Sequence, residues 1–569
     1  MAGGAAENRR LMPTAPHPRF AALSAARSPL AVALACALWI ALLPNWPLWR
    51  ALAALPEMSS LRGAVFMLAF GLVIAATMTA LLAIFAWPWL IKPAATLCLV
   101  AAAIGAYFML GYGVVIDPTM MTNVLQTDVR ETRDLLSPRL ALALLLLAGP
   151  PLVWLWRLRL RPRPLWSQAW RNLAAVLGAL AVALLLVLAV FADLSATMRN
   201  HRTLRYLINP LNSFYALAFL AHEGAAQPAG PLEIVAPDAT LVPRPAGARP
   251  PLFVLVVGET ARADHFQLNG YARATNPQLM QRQVVSFADV TSCGTSTASS
   301  LPCMFSALGR AAFAAHKGAQ ENLLDVAQRA GLAVLWLDNQ SGCKGLCERV
   351  PHAAAGEPAP GAPPPPAGMC HDGECYDEAL LVGLDARLAA LPAERRARGV
   401  LLVLHQMGSH GPAYWLRSPP GRKPFLPECT TNVLQQCDGQ AIVNAYDNSI
   451  AYTDHVLAGT IDWLERQSAH YEATLLYVSD HGESLGENNL YLHGLPWNFA
   501  PREQKHVPMI VWLAPQAKAD IGVDLGCLAG RRDAALSHDN LFHTALGYLG
   551  VATQAYRREL DLFAPCRSP

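Results

Sequence analysis

Net charge is what this 569-residue chain has least of: 44 Lys and Arg stand against 41 Asp and Glu, a formal balance of +3. The basic residues are spread between apolar blocks rather than pooled in one patch, which excludes nucleic acid as the expected partner. Cysteine is missing from the whole stretch between Cys98 and Cys293, and ten of the 12 cysteines fall after residue 290. The first apolar block lacks a small-residue cleavage pattern, so it reads as a permanent anchor and not as a removed signal peptide.

Long uncharged runs are present instead. The hydrophobic fraction is 53%, high for a soluble enzyme, and Leu173–Phe191 contains no charge at all. Five apolar blocks occupy the first third: Leu30–Leu43, Gly63–Trp87, Pro93–Val115, Leu140–Trp156 and Asn172–Leu194. The first is short for a span, which takes about 20 residues. Trp46, Pro47, Leu48 and Trp49 extend it with aromatics that favour the interface.

Arg9, Arg10, Arg19 and Arg27 lie in the N-terminal tail, Lys92 after the second block, and Arg157, Arg159, Arg161, Arg163 and Arg171 around the loop after the fourth. These are alternate loops on one side, which the positive-inside rule makes cytoplasmic. Five crossings then place everything after Leu194 outside the cytoplasm. The expected division is a transmembrane domain over 1–194, an interfacial helix and linker over 195–250, and an α/β domain over 251–569. Within the middle part, 202–220 reads as a surface-lying helix broken at Pro210, and 224–250 as an Ala/Pro/Gly-rich linker.

Cysteine usage tests that topology. The close pairs Cys293 with Cys303, Cys343 with Cys347, Cys370 with Cys375 and Cys429 with Cys437 suggest local disulfides in an oxidising compartment, leaving Cys527 and Cys566 as a fifth pair. Thiolate zinc binding is the competing reading; the pairs lack the two-residue spacing of a structural zinc site.

The outer loop 117–137 reads DPTMMTNVLQTDVRETRDLLS. Asn123, Thr127 and Glu131 recur at i, i+4 and i+8, which predicts one shared helical face. That face is either simply solvated at the bilayer surface or a head-group site where amide, hydroxyl and carboxylate hold an ammonium.

In the last part, strand-like runs at 252–257, 332–337, 400–404, 474–478 and 509–513 alternate with helical patterns at 321–330, 376–391 and 444–467. Alternation of this kind predicts a largely parallel sheet covered on both faces. PLFVLVVGETAR at 251–262 stops abruptly at Gly258-Glu259, TLLYV stops at Ser479-Asp480-His481-Gly482, and VLLVL at His405, with His410 five residues on. Ligands bind outside the carboxyl ends of such strands, so these termini are expected to converge. In CGTSTAS, Gly294 permits a tight turn and the following residues look like a helix start. Thr297 would then expose its hydroxyl where the helix dipole favours anions. Ser and Thr at helix starts are commonly caps, and it is the company of Glu259, Asp480 and His481 that favours a nucleophile.

GET at 258–260, TSCGTSTASSLPCMFS at 291–306, NQSGCKGLC at 339–347, HQMGSHGPAY at 405–414 and SDHGESLGENNLYLHG at 479–494 together resemble the lipid A phosphoethanolamine transferases, the family of the mobile colistin resistance enzymes. The resemblance covers nearly the whole chain. It implies an α-helical five-span membrane domain followed by a soluble α/β domain of the alkaline phosphatase/sulfatase kind. It also implies Glu259, Thr297, Asp480 and His481 as zinc ligands, one or two ions in all, with Thr297 the nucleophile that becomes phosphoethanolaminylated.

By the same resemblance His410 and His493 contact the substrate phosphate or an additional zinc, and either supplies acid and base. Lys344 binds substrate, Asn123, Thr127 and Glu131 serve the donor head group, and Gln340 stands where relatives carry an asparagine that contacts ethanolamine. The implied reaction takes phosphoethanolamine from phosphatidylethanolamine to a lipid A phosphate, lowers outer-membrane negative charge and confers polymyxin resistance. Core sugars of lipopolysaccharide are the alternative acceptor. A sulfatase-like phosphoglycerol transferase is a further alternative, although a Cys-x-Pro-x-Arg sulfatase signature is missing, as is a catalytically silent lipid-binding sensor. The expected setting is the bacterial inner membrane, multi-pass, with a cytoplasmic N-terminus, a periplasmic catalytic domain and a single copy of the chain.

Overall fold

The computed structural model describes residues 26–567 apart from 128, 227–230, 246, 372–373 and 517–520. Arg9, Arg10 and Arg19, used above to orient the chain, lie outside the described residues. The chain divides into two compact units, one of residues up to Tyr107 with Pro138–Asn212, the other of Phe108–Ser137 with everything from Ser213 on. The outer loop after the third apolar block therefore groups with the catalytic residues, from which it is distant in sequence.

In the first unit, Leu61–Ile84, Ile91–Tyr112 and Leu165–Ala189 are helices long and apolar enough to cross a membrane. Two further pairs, Pro29–Leu42 with Trp46–Ala53 and Pro138–Leu147 with Gly149–Arg157, are bent by 44° and 46°, giving five spans if each pair counts as one. Both bends fall at prolines, which interrupt the backbone ladder. Side chains take up the carbonyls near each break: Asn45 Nδ2 donates to Ile40 O at 2.8 Å, and Trp39 Nε1 to Leu147 O at 2.7 Å. In lipid such replacement is what makes a broken helix tolerable. The segment expected to lie along the bilayer surface is broken at Pro210, with a 3-10 turn at Arg202–Leu207 and a helix at Leu211–Ala226.

The second unit is built on an eight-stranded sheet: β1 (Pro251–Gly258), β2 (Val284–Thr291), β3 (Ala333–Asp338), β4 (His352–Ala354), β5 (Val400–His405), β6 (Glu472–Ser479), β7 (His506–Leu513) and β8 (Leu536–Ser537), in the order β8-β2-β7-β6-β1-β5-β3-β4. Every residue of β1 is buried. Its alternate side chains enter two separate cores, Phe253, Leu255 and Val257 on one face and Leu252, Val254 and Val256 on the other. This is the double-sided burial that a continuous apolar run encodes.

The sheet is largely parallel, as expected, with five of its seven strand pairings parallel, and one antiparallel strand makes it mixed. β7 runs antiparallel to both β6 and β2, because the 480–505 connection contains no long helix to carry the chain back across the sheet, as a parallel neighbour requires. β2 carries no clear strand signal: VVSFADVT mixes polar residues into its length, and several of its positions are only partly buried. The helix expected over 376–391 is interrupted, with a 3-10 turn at Asp377–Leu381 and a helix at Leu384–Ala390 on either side of Gly383 at φ 71°.

The linker stretch is strapped down. Thr240–Leu241 pairs with Val551–Ala552, Glu233 N donates to Ala319 O at 2.9 Å, and Ala236 and Ala239 enter a core. Backbone bonds of this kind leave no side-chain periodicity to read. All five expected disulfides are formed, Cys527–Cys566 included, while Cys36 and Cys98 are free. The bonded pairs leave no thiolates for the zinc alternative.

Candidate active site

Strand register assembles the site. β1 lies parallel between β5 and β6, with Val257 opposite His405 and Gly258 opposite Ser479. The residues that follow, Glu259 and Asp480-His481, therefore leave the same edge of the sheet together. From another direction comes the helix Thr297–Met304, with Ser296 extended at the N-cap position and its hydroxyl not capping the helix. A β-carbon on Gly294 would sit 2.7 Å from Ser300 N, so glycine lets the preceding turn fold tightly onto that helix.

Thr297 Oγ1 lies 3.1 Å from both Glu259 carboxylate oxygens and 3.4 Å from His481 Nε2. His481 Nε2 is 3.2 Å from Glu259 Oε1 and 3.4 Å from Asp480 Oδ2. Its other nitrogen bonds to Gly482 O at 2.9 Å, which fixes the ring. Asp480 Oδ1 accepts from the backbone of Thr260 (3.2 Å) and His481 (2.7 Å). Thr260, at φ 60°, also bonds Glu259 Oε1 through its hydroxyl at 2.7 Å. Strained backbone at such a position is common where a site is held rigid.

The electrostatics show a cluster short of positive charge. Burial pushes the Asp480 carboxyl up to about 7, helped by the Glu259 charge. Burial also opposes a charged His481, but Asp480 and Glu259 outweigh it and hold the imidazole up at about 10. For Glu259 burial acts upward, yet the His481 hydrogen bond and charge keep it well below the usual carboxylate range. Ligand atoms from Glu259, Asp480 and His481 all lie within 4.8 Å of one another, and Asp480 Oδ2 is buried without a hydrogen bond. Two carboxylates, one imidazole and a hydroxyl fit a small divalent cation, and this donor set suits zinc.

Around this cluster stand further expected residues. The His493 ring centroid is 4.3 Å from that of His481 and 5.7 Å from that of His410. Glu483 holds His493 Nδ1 at 3.0 Å. Gln340 Nε2 donates to Glu259 Oε2 at 3.0 Å, so this amide faces a carboxylate of the cluster. Lys344 bonds within its own loop, to Ser341 Oγ at 2.9 Å. His405, buried at the end of β5, pairs with Asp338 at 3.1 Å.

The outer loop corrects the shared-face expectation. Its first helix, Pro118–Gln126, ends at Thr127, which is extended at φ −63°, ψ 127°. Thr127 Oγ1 bonds back to Asn123 O at 2.7 Å. Glu131 falls in a separate helix, Val129–Leu135, and its side chain is outside the described residues. The i+4 spacing held as far as Thr127, whose hydroxyl closes the helix instead of continuing its face. Asn123 does approach the site: a β-carbon on Gly494, at φ 87°, would come within 3.0 Å of its Nδ2 and 2.8 Å of Met120. Gly494 N in turn donates to Thr295 O at 2.7 Å, tying the His493 loop to the nucleophile loop.

Several site residues went unremarked in the sequence. Glu483 sits inside the SDHGES motif, a signal that was available. His538 donates from Nε2 to Ser479 O (2.9 Å) and accepts at Nδ1 from Cys293 N (3.0 Å), far along the chain, and nothing local marks it. Arg417 is another such residue.

The family model described as Sulfatase matches residues 251–551, and that of Phosphoethanolamine transferase EptA/EptB matches 74–224. The chain is 38% identical over 517 residues to phosphoethanolamine transferase EptA of Salmonella typhimurium, covering 90% of this chain and 92% of that protein. It is 37% identical over 468 residues to phosphatidylethanolamine transferase Mcr-1 of Escherichia coli, covering 81% and 84%. The solved integral membrane lipooligosaccharide phosphoethanolamine transferase A of Neisseria meningitidis superposes with a TM-score of 0.87 at 33% identity, over 95% of this chain and 99% of that one. Matched at 33–38% identity along most or nearly all of its length by phosphoethanolamine transferases, the chain belongs to the EptA family of these enzymes.

Proposed function

We propose that this protein moves phosphoethanolamine from phosphatidylethanolamine to a lipid A phosphate through a covalent intermediate on Thr297. The observation that carries the proposal is the placement of Thr297 Oγ1 at a helix start, within 3.1 Å of both Glu259 oxygens and 3.4 Å of His481 Nε2. Glu259, Thr297, Asp480 and His481 would hold zinc, which supplies charge to favour the ionised hydroxyl and to neutralise the phosphoryl oxygens.

In the first half-reaction Thr297 Oγ1 attacks phosphorus, the bond to the glycerol oxygen breaks, and diacylglycerol leaves with a proton. In the second, an oxygen of the lipid A phosphate attacks the same phosphorus, the bond to Thr297 breaks, and the hydroxyl is restored. With Thr297 at the first position of the helix Thr297–Met304, the positive end of the helix dipole would favour negative charge on the transferred group. His410 and His493 stand next to the cluster where a proton must be given to the leaving oxygen, and Glu483 orients His493 for that task. Asn123, Gln340 and Lys344 are assigned to the donor head group. We read it as an inner-membrane protein acting as a single copy, with its N-terminus cytoplasmic and its catalytic domain periplasmic; up to five spans, the arginine-rich loops and the disulfides support that topology.

Mass spectrometry of lipid A from cells expressing the chain is the test. An added phosphoethanolamine on lipid A, with a matching rise in polymyxin resistance, is the expected result. Addition confined to the core oligosaccharide would reassign the acceptor.

A further inference from the structure

One buried guanidinium joins the outer loop to the loop that carries His410. Arg417 follows the 3-10 turn Tyr414–Leu416, and its side chain is 3% exposed. Three segments accept its protons. Nε donates to His410 O at 2.8 Å, Nη2 to Asp134 Oδ2 at 2.8 Å, and Nη1 to Glu374 Oε2 at 3.0 Å. Asp134 belongs to the helix Val129–Leu135, and Glu374 to the hairpin closed by Cys370–Cys375. Asn432 secures the same helix, its Nδ2 donating to Asp134 O at 2.7 Å.

We propose that Arg417 is a positioning residue for the transfer reaction: through its bonds to His410 O and Asp134 it holds the His410 ring and the outer loop in one fixed arrangement, without itself touching substrate. A guanidinium suits this role because its donors form a rigid planar fork, so three acceptors bound to it are fixed relative to one another. Packing alone does not fix them. A cavity of about 290 Å³ opens beside Arg417, lined also by Asp134, Glu374, Asp377 and Met407, and leaves the loop room to shift. A displacement at residue 410 is carried to a ring that stands 5.7 Å from that of His493.

The inference rests on the reading of His410 as a substrate-contacting residue, and a double-mutant cycle separates the two. In the purified full-length protein acting on phosphatidylethanolamine vesicles, Arg417→Gln is expected to lower kcat by about 100-fold, the cost of a misplaced group. Its metal content should stay at the wild-type level. Introduced into His410→Ala, the same substitution should lower the rate by less than about tenfold, because one of the two groups it positions is already gone and only the outer loop remains to be displaced. Arg417→Lys should recover less than about tenfold of the loss, since one ammonium cannot reproduce the fork. An equal loss from Arg417→Gln in both backgrounds, or full activity in Arg417→Lys, overturns the positioning role while leaving His410 in place. A wild-type rate in His410→Ala removes the role of His410 and the inference together. Should Arg417→Gln not fold, Arg417→Lys enters the same cycle with the same criteria.

Discussion

Glu259, Asp480 and His481 crowd their ligand atoms within 4.8 Å of one another, and Asp480 Oδ2 is left without a hydrogen bond. Arg417 is buried beside two carboxylates as well, yet every contact around it is a charge-assisted hydrogen bond of 2.8–3.0 Å. Both clusters place acids in a low-dielectric interior, where an uncompensated charge is costly. In the second, Arg417 offsets both carboxylates with hydrogen bonds, and water still reaches them, at 16% and 26% exposure. In the first, His481 alone among the three can offset the charge, and the site is built to take a cation from outside. The contrast separates a polar cluster arranged to bind and react from one arranged to hold its neighbours still.

The largest effect should come from the hydroxyl that faces the cation site. Thr297→Ala is expected to reduce transfer by about 10⁴-fold or more, as loss of a nucleophile does elsewhere. It should also abolish the phosphoethanolamine adduct in intact-protein mass spectra, while folding and membrane insertion persist. An adduct surviving in that variant would move the nucleophile to another residue.

Asp480→Asn sharpens the comparison by taking one acid from the unbalanced cluster. Asparagine keeps the oxygen that accepts from Thr260 and His481 but removes the charge that burial and Glu259 oppose. Bound metal should fall to background, measured by elemental analysis. Melting of the metal-free protein above pH 7 should rise by about 2–4 °C. A lower melting temperature in chelator would show the carboxylate to be structural.

His538 lies behind the cluster, and burial there holds its imidazole down at about 4, opposed by the bond to Ser479 O. In the unfolded chain it titrates near 6.5, so between about 6.5 and 4 the unfolded state binds a proton that the folded state does not. The stability from this group is complete above the upper value and lost as pH falls through the lower one, about 3 kcal/mol in all. Urea midpoints measured from pH 7 to 4 should show the decline, and His538→Asn should flatten it by about one proton. An unchanged slope would mean that the ring is protonated in place. The smallest effect belongs to Glu374→Gln. Its carboxylate is 26% exposed, and loss of such a pair should cost less than about 1 kcal/mol, read as a small shift in the same midpoints.

Much of the catalytic edge was legible in advance. Glu259 and Asp480-His481 each end an uncharged run of strand length, and a strand buried on both faces has nowhere else to deliver a charged residue than its end. The short-range cysteine pairs were equally plain, as a separation of 4 to 10 residues leaves few other partners. The outer loop was less so. Spacing put Asn123, Thr127 and Glu131 on one face, but Thr127 turns its hydroxyl back on its own helix and ends it, a competition between side chain and backbone that periodicity does not reveal.

By itself, then, the amino-acid order determined the apolar spans, the strands that carry the acids and the local disulfides, since each depends on burial or on neighbours a few residues away. Tertiary structure alone decided that β7 runs antiparallel, that Asn123 approaches Gly494, and that Arg417 gathers Asp134, Glu374 and His410 from positions up to 283 residues apart. Those pairings are set by which chain segments pack together. A polar residue held by distant partners carries no mark in its local sequence of what it will meet.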